Sequence, residues 1–444
     1  MAFAGAYRWT TVPLFVGVGV LIVWQRPRIG GGSCALLDWS LIGCLAIVSA
    51  QLIPLPAALW QRLSPHAIEV DRALLLNPTP QAPPSHVLSL DPDATAWALA
   101  LGAAYVALFW CARAIFAGGG VRVTIRGIST LGLGLTMLVA VQRATAPKLL
   151  YWTWRPLDAG ASPYGPFVNR NGLACWLAMA VPLIIGYAVA RQRSQPAGRV
   201  AAASIDPTQL WLGGAAMLMT GGLLGSLSRG GIFGGAIGLL AFVLLSRTRL
   251  SRAGGIVWIV AGLVAMVAVA TVYTNLGALA LRMQETTELG EWGRRVIWHD
   301  TWRMASDFRW IGVGAGAYQR GMLVYQQASR QFFFNHAHNE YLQLLAEGGV
   351  PLAALAAVAL IAGVAVIASH LRGEPSVFFW IRAGAAAAIV AAAVQSIWDT
   401  ALRMPANGVL FAVIAAIALR DRRSTGDSHG ARPHSLRFGQ GERR

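Results

Sequence analysis

The sequence predicts an all-α integral membrane protein of about eleven transmembrane helices, bounded at ten to twelve. Three observations predict it. Only 12% of the 444 residues are charged and 56% are apolar, whereas soluble domains carry about a quarter charged residues. Apolar runs near the length of about 20 residues that crosses a bilayer core as a helix recur along the chain. The arginines gather in short stretches between these runs and in the tail. A net charge of +17 would point to nucleic acid in a soluble protein, but topology accounts for it here, and no nucleic-acid partner is expected.

In chain order the runs are 11–24, 36–58, 94–116, 127–143, 172–190, 209–227, 231–246, 255–273, 349–369, 379–398 and 405–419. The first is short. It follows a single charge, Arg8, and lacks a small-residue cleavage site, so it reads as a first membrane helix rather than a removed signal peptide. Cys34, Cys44, Cys111 and Cys175 lie in or beside apolar runs without metal-ligand spacing, so no disulfide framework is expected.

Orientation follows from the arginines. The tail carries Arg420, Arg422, Arg423, Arg432, Arg437, Arg443 and Arg444, which places it in the cytoplasm. Counting back puts Arg372, Arg247/Arg249/Arg252, Arg191/Arg193/Arg199, Arg122/Arg126 and Arg26/Arg28 on that same side. Segments 59–93, 144–171 and 274–348 then fall on the opposite, extracytoplasmic face, the last being long enough not to vote on orientation. The expected organisation is N-terminal helices over 1–160, a catalytic region over 161–400 that includes loop 274–348, a last helix over 401–419 and a disordered basic tail over 420–444. Loop 274–348 reads as helical: Trp292, Val296, Ile297, Trp302 and Met304 recur near helical spacing, and Trp310–Gly316 interrupts them as a glycine turn.

Four polar groups fall at the extracytoplasmic ends of these runs. The stretch Gly165–Asn171 enters a span; it is either a simple helix entry capped by Asn171, or an anion site in which Arg170, Asn169 and Asn171 join the free N–H groups. Ser226–Gly231 is a tight turn between two spans. Its Arg229 either snorkels to head groups or serves a site, and an arginine near hydrocarbon, costing about 2.5–3.5 kcal/mol or more, favours the second. In Gly293–Asp300, Arg294 and Arg295 diverge by about 100° on a helix, so one can face a site while the other faces water. The fourth group, Asn335–Val350, reads as an active-site helix carrying His336, His338, Asn339, Glu340 and Glu347. Two histidines two residues apart diverge on a helix, so no metal ion is expected there.

A neutral-to-basic histidine with two or three arginines suits displacement of a diphosphate leaving group by a hydroxyl. Arginine's donor fork matches phosphate oxygens, and histidine can take the hydroxyl proton.

At these residues the chain resembles the O-antigen ligase and O-antigen polymerase superfamily of bacterial membrane glycosyltransferases. The resemblance rests on Pro166–Asn171, on Ser228–Gly230, on Arg294 four residues before Trp298, on Gly312–Gly314, and above all on Ala337–Leu342 followed by Glu347–Gly349; it covers roughly 160–400. It implies a multi-spanning GT-C-like protein that moves a glycan from an undecaprenyl-diphosphate-linked donor at the periplasmic face, with no cofactor and no metal. By the same resemblance His338 is catalytic, Arg229 and Arg294 handle phosphate with Arg295 as substitute, and lipid A core or another glycan is the acceptor. Ligases often close the histidine motif with Gly-x-x-Gly; here Leu352 stands at the last position. Ligase, polymerase and transferase to protein hydroxyls share donor chemistry, and ligase-type attachment to lipid A core is the expectation. A transporter or flippase for a lipid-linked sugar would instead need polar residues along the spans, where Gln51, Thr136 and Gln395 are the main ones.

Overall fold

The computed structural model describes residues 2–74, 85–157, 161–194, 206–249, 290–327 and 333–421. The expected span 255–273, the first part of the large loop and the tail beyond Asp421 lie outside the described residues.

Among these, eight helices are long and apolar enough to cross a membrane. The helices are α1 (Val12–Gln25), α2 (Ala35–Ala50), α3 (Ala57–Leu63), α4 (Ala67–Leu74), α5 (Pro92–Gly118), α6 (Val121–Thr145) and α7 (Arg170–Arg193). They continue with α8 (Pro207–Gly225), α9 (Arg229–Ser246), α10 (Gly290–Asp307), α11 (Tyr318–Tyr325), α12 (Glu340–Gly373), α13 (Phe378–Gln395) and α14 (Pro405–Ala418). A two-residue antiparallel pairing of β1 (Leu55–Pro56) with β2 (Ser85–His86) is the only sheet among the described residues. The fold is all-α and membrane-spanning, as the sequence predicts.

α7 and α13 form the centre, and α9 packs on both. α7 is buried on nearly every side, so it reads as apolar all round rather than amphipathic. Two small residues set the α7–α13 crossing: a Cβ on Gly384 would lie 2.6 Å from the Pro182 carbonyl oxygen, and one on Gly186 would lie 2.4 Å from that of Trp380. Close backbone approach of this kind is how helices associate where lipid removes the hydrophobic drive between them.

Beside the membrane bundle lies a second apolar core. It joins Trp60, Ala67, Val70, Leu88 and Leu90 from the 59–93 segment to Ile297, Met304, Phe308, Val313, Tyr318 and Met322 from the large loop. The described parts of segments 59–93 and 274–348, expected on one face, are therefore built into one layer.

The helical expectation for His336 to Ala346 needs correction. Residues 333–339 are irregular, and α12 begins at Glu340. Asn339 is its N-cap, the side-chain oxygen accepting from the Leu342 N–H at 3.0 Å. His338 sits at φ 51°, a left-handed backbone that cannot continue a helix. α12 then runs through a break at Gly349 (φ 66°), two residues before Pro351, into the apolar stretch read as a span. The break has a chemical cause. Pro351 has no N–H for the Glu347 carbonyl, which instead accepts from Gly314 N–H at 3.0 Å and Gln51 Nε2 at 2.9 Å. The Val350 N–H donates to Arg309 O rather than up its own helix.

Candidate functional site

The polar groups converge on the connection between α13 and α14, residues 396–404, which touches the start of three other helices. Towards α7, a Cβ on Gly172 would lie 2.8 Å from Met404 Sδ, and on either side of the connection Gln395 Nε2 donates to Asn171 O at 3.1 Å and Asn407 Nδ2 to Gly172 O at 3.0 Å. Towards α9, a Cβ on Gly230 would meet Trp398 Cβ at 3.7 Å, and the Phe233 and Trp398 rings stack edge to face at 5.4 Å. Towards α12, the Glu340 N–H donates to Ser396 O at 2.9 Å. One end of the bundle thus collects the starts of α7, α9 and α12, whose positive dipole ends favour an anion.

Arg170 is the first residue of α7 and is partly buried. Its cap is Asn169, not Asn171: the Asn169 side-chain oxygen accepts from the Asn171 N–H at 3.0 Å. The reason is that the helix starts two residues earlier than the apolar run, which moves the cap with it. Arg229 is the first residue of α9, held by a tight turn with Leu227 at φ 54° and by Ser228, whose Oγ accepts from the Gly231 N–H at 3.3 Å.

His338 has its imidazole Nδ1 3.8 Å from Asp399 Oδ1. That is within ionic reach but too long for a hydrogen bond. His338 Nδ1 and Asp399 Oδ2 are both buried without a hydrogen-bond partner. Closure of the gap would give Nδ1 an acceptor and leave Nε2 as the free ring nitrogen. The carbonyl of Ala337, next to His338, accepts from Trp298 Nε1 of α10 at 2.9 Å. Arg294 lies one helical turn before Trp298, on the face of α10 that meets the histidine segment, and is partly buried, while Arg295 is exposed.

His336 serves a different network. Its Nδ1 is 3.3 Å from Gln343 Nε2, which donates to Glu347 Oε1 at 2.9 Å, while Gln343 Oε1 accepts from the Ala337 N–H. Arg403, just before α14, completes it: its Nε donates to Glu340 at 2.9 Å and its Nη1 donates to both oxygens of Glu347 at 2.9 and 2.8 Å. Burial pushes the Glu340 carboxyl up, against the pull of Arg403. Burial and then the Arg403 charge hold His336 down at about 4, so it is neutral near pH 7. Among the described residues no group of three His, Cys, Asp or Glu side chains is placed to hold a metal ion.

Of the residues singled out from sequence, the starts of α7 and α9 and the His338 segment meet at one end. Asn169 and Asn339 are spent on helix caps, and Arg295 is turned to solvent. Sequence reasoning missed Asp399, Arg403 and Gln343. The available signal was the polar break Asp399–Arg403 between the last two apolar runs, and the seven-residue spacing of Glu340 and Glu347, a shared helix face that needed a cation.

With this geometry in place, comparison with known proteins adds one finding. Residues 214–357 match the family model of O-antigen ligase, which spans α8 to the first half of α12 and includes Arg229, Arg294 and His338. The match supports the O-antigen ligase and polymerase superfamily for this region and an activity of that general type, that of a glycosyltransferase-like membrane enzyme. No curated protein matches the chain.

Proposed function

We propose that this end of the bundle transfers a glycan from undecaprenyl diphosphate to an acceptor hydroxyl at the periplasmic face, as an O-antigen ligase acting on lipid A core. The observation that carries the reading is the 396–404 connection, which draws together the starts of α7, α9 and α12 and with them Arg170, Arg229 and His338.

His338 Nε2 takes the proton of the acceptor hydroxyl as its oxygen attacks the anomeric carbon. The bond from that carbon to the diphosphate oxygen breaks, and the charge gathering on the departing undecaprenyl diphosphate is met by Arg229, Arg294 and Arg170. Asp399 fixes the ring and stabilises the imidazolium until the proton leaves to water or to the diphosphate. The step uses donors and a base from the chain itself, so the reading is metal-independent. The transporter reading has less support: Gln51, Gln395 and Thr136 all donate to backbone carbonyls rather than lining a path.

The test is transfer in proteoliposomes with lipid-linked glycan and lipid A core. His338→Ala should lose about 10²- to 10⁴-fold in rate while remaining inserted and folded. Arg229→Lys should also be severely impaired because it keeps the charge and loses the donor fork. EDTA should change nothing. Wild-type turnover by the His338→Ala protein would remove the general-base role, and inhibition by EDTA reversed by a divalent ion would remove metal independence. In a deletion strain, lipid A core without long chains and accumulating lipid-linked polymer marks a ligase; a single repeat left on the core marks a polymerase.

A further inference from the structure

At the other end of the bundle lies a cavity of about 660 Å³ that plays no part in the glycan chemistry. α7 is 24 residues long, so its two ends are about 36 Å apart, more than the thickness of a bilayer core. The reaction site gathers at the Arg170 end, and the cavity is lined by Tyr187, Arg191 and Ser194 at the opposite end.

Three independent features of this cavity point to one chemistry. First, four arginines line it, Arg122, Arg191, Arg382 and Arg420, against two carboxylates, Glu374 and Asp421. Arg191 is paired with Asp206 at 2.5 Å, Arg382 with Glu374 at 3.5 Å and Asp421 with His370 at 3.3 Å, which leaves Arg122 at the rim and Arg420 inside as the cations without a carboxylate partner among the described residues. Second, Arg382 is only 3% exposed, and its Nε is buried without a hydrogen-bond partner among the described residues. Its two Nη groups are already engaged: Nη1 donates to Ala418 O at 3.1 Å, and Nη2 donates to Arg420 O at 2.9 Å and lies 3.5 Å from Glu374. A buried, uncompensated N–H of a charged group is costly, so the Nε calls for an acceptor. Third, α6 starts at the cavity wall from Gly119 and Gly120, with Gly120 at φ 82° and no side-chain cap on the helix. The first N–H groups of a 25-residue helix are therefore presented to the same space.

We propose that this cavity binds a phosphate-bearing group, held by Arg382, Arg122 and the start of α6. Two sources carry that chemistry: the headgroup of an anionic phospholipid in the adjoining leaflet, and a soluble phosphate compound. Either would tie α6 to α13 and to the end of α14, so occupancy should register as stability of the whole bundle.

The experiment uses the full-length protein in detergent and reads its melting temperature. Phosphatidylglycerol, phosphatidylethanolamine, and sodium phosphate or glycerol phosphate at matched ionic strength are added in separate arms. The proposal expects a rise with phosphatidylglycerol over phosphatidylethanolamine, or an equal rise with the soluble phosphates. The first result identifies the lipid as the source and the second the soluble compound. Arg122→Gln, an exposed change at the rim, should weaken the response about ten-fold in ligand concentration. Arg382→Lys should do the same, and if that variant does not fold, Arg122→Gln carries the test. Arg62→Gln, in the other layer, is the control and should respond like the wild type. The proposal is overturned if no phosphate-bearing arm raises the melting temperature, or if the rise persists undiminished in the folded cavity variants.

Discussion

Arg403 shows how much of the site depends on a single side chain. Its guanidinium reaches Glu340 and both oxygens of Glu347, and Glu347 is only 2% exposed. Removing one partner of a buried ion pair leaves an uncompensated charge and costs about 3–5 kcal/mol. Arg403→Met should therefore lower stability by that order in a thermal or denaturant melt, and adding Glu347→Gln should recover much of the loss. If Arg403→Met melts like the wild type, the pair is not holding the start of α12. His336 belongs to the same network and makes its stability sensitive to pH. Its folded imidazole titrates at about 4, against about 6.5 in an unfolded chain. As pH falls below about 6.5 the unfolded chain takes up the proton first, so this contribution to stability is lost between pH 6.5 and 4. It is worth at most on the order of 3 kcal/mol, less for a ring with some solvent access. Glu340, whose carboxyl is pushed up by burial, acts with the opposite sign, so the difference between wild type and His336→Gln isolates the histidine. The melting temperature of the wild type should fall relative to that of His336→Gln as pH drops from about 6.5 towards 4; parallel curves would exclude the effect. These contacts were not legible in the sequence, because Arg403 lies more than fifty residues from either carboxylate.

At the scale of elements, the glycine turn 312–316 does what the sequence reading did not assign to it. It stands against the break in α12, where Val313 N–H donates to Ala346 O at 2.9 Å and Gly314 N–H to Glu347 O at 3.0 Å. A Cβ on Gly312 would lie 2.2 Å from the Glu347 carbonyl, and its φ of 73° disfavours any other residue. Gly312→Ala should displace the turn and leave the Ala346 and Glu347 carbonyls short of donors. We expect it to abolish transfer and destabilise the second apolar core by more than about 2 kcal/mol, with membrane insertion intact. Protease sensitivity of the loop checks this; unchanged protection would show that the turn tolerates a side chain. That α12 is interrupted could be read from Gly349 standing two residues before Pro351. What accepts and donates at the interruption could not, since Gln51 and Arg309 arrive from distant parts of the chain.

For the whole molecule, two polar sites stand apart by the length of α7. The site that gathers Arg170, Arg229 and His338 lies at one end, and an arginine-lined cavity at the other. The arginine pattern predicts that the His338 end faces away from the cytoplasm, and this expectation has a direct check. In a background with the four free cysteines replaced, Leu157→Cys, in the expected periplasmic segment, should react with a membrane-impermeant maleimide on intact spheroplasts. Gly373→Cys should react only after the membrane is opened. The reverse pattern would invert the topology and remove the periplasmic assignment.

By itself the sequence determined the all-α membrane class of the protein and most of its helical spans. Hydrophobic length and arginine placement are local properties, and a motif carries its chemistry in its own residues. Which of those residues meet was decided only by tertiary structure. Asp399 beside His338, Arg403 between two glutamates, and Trp298 behind the histidine segment all follow from helix packing that joins residues far apart in the chain. Burial then set their charge states: the neutrality of His336 and the unanswered Nε of Arg382 are consequences of enclosure, and enclosure is not a property of any segment alone.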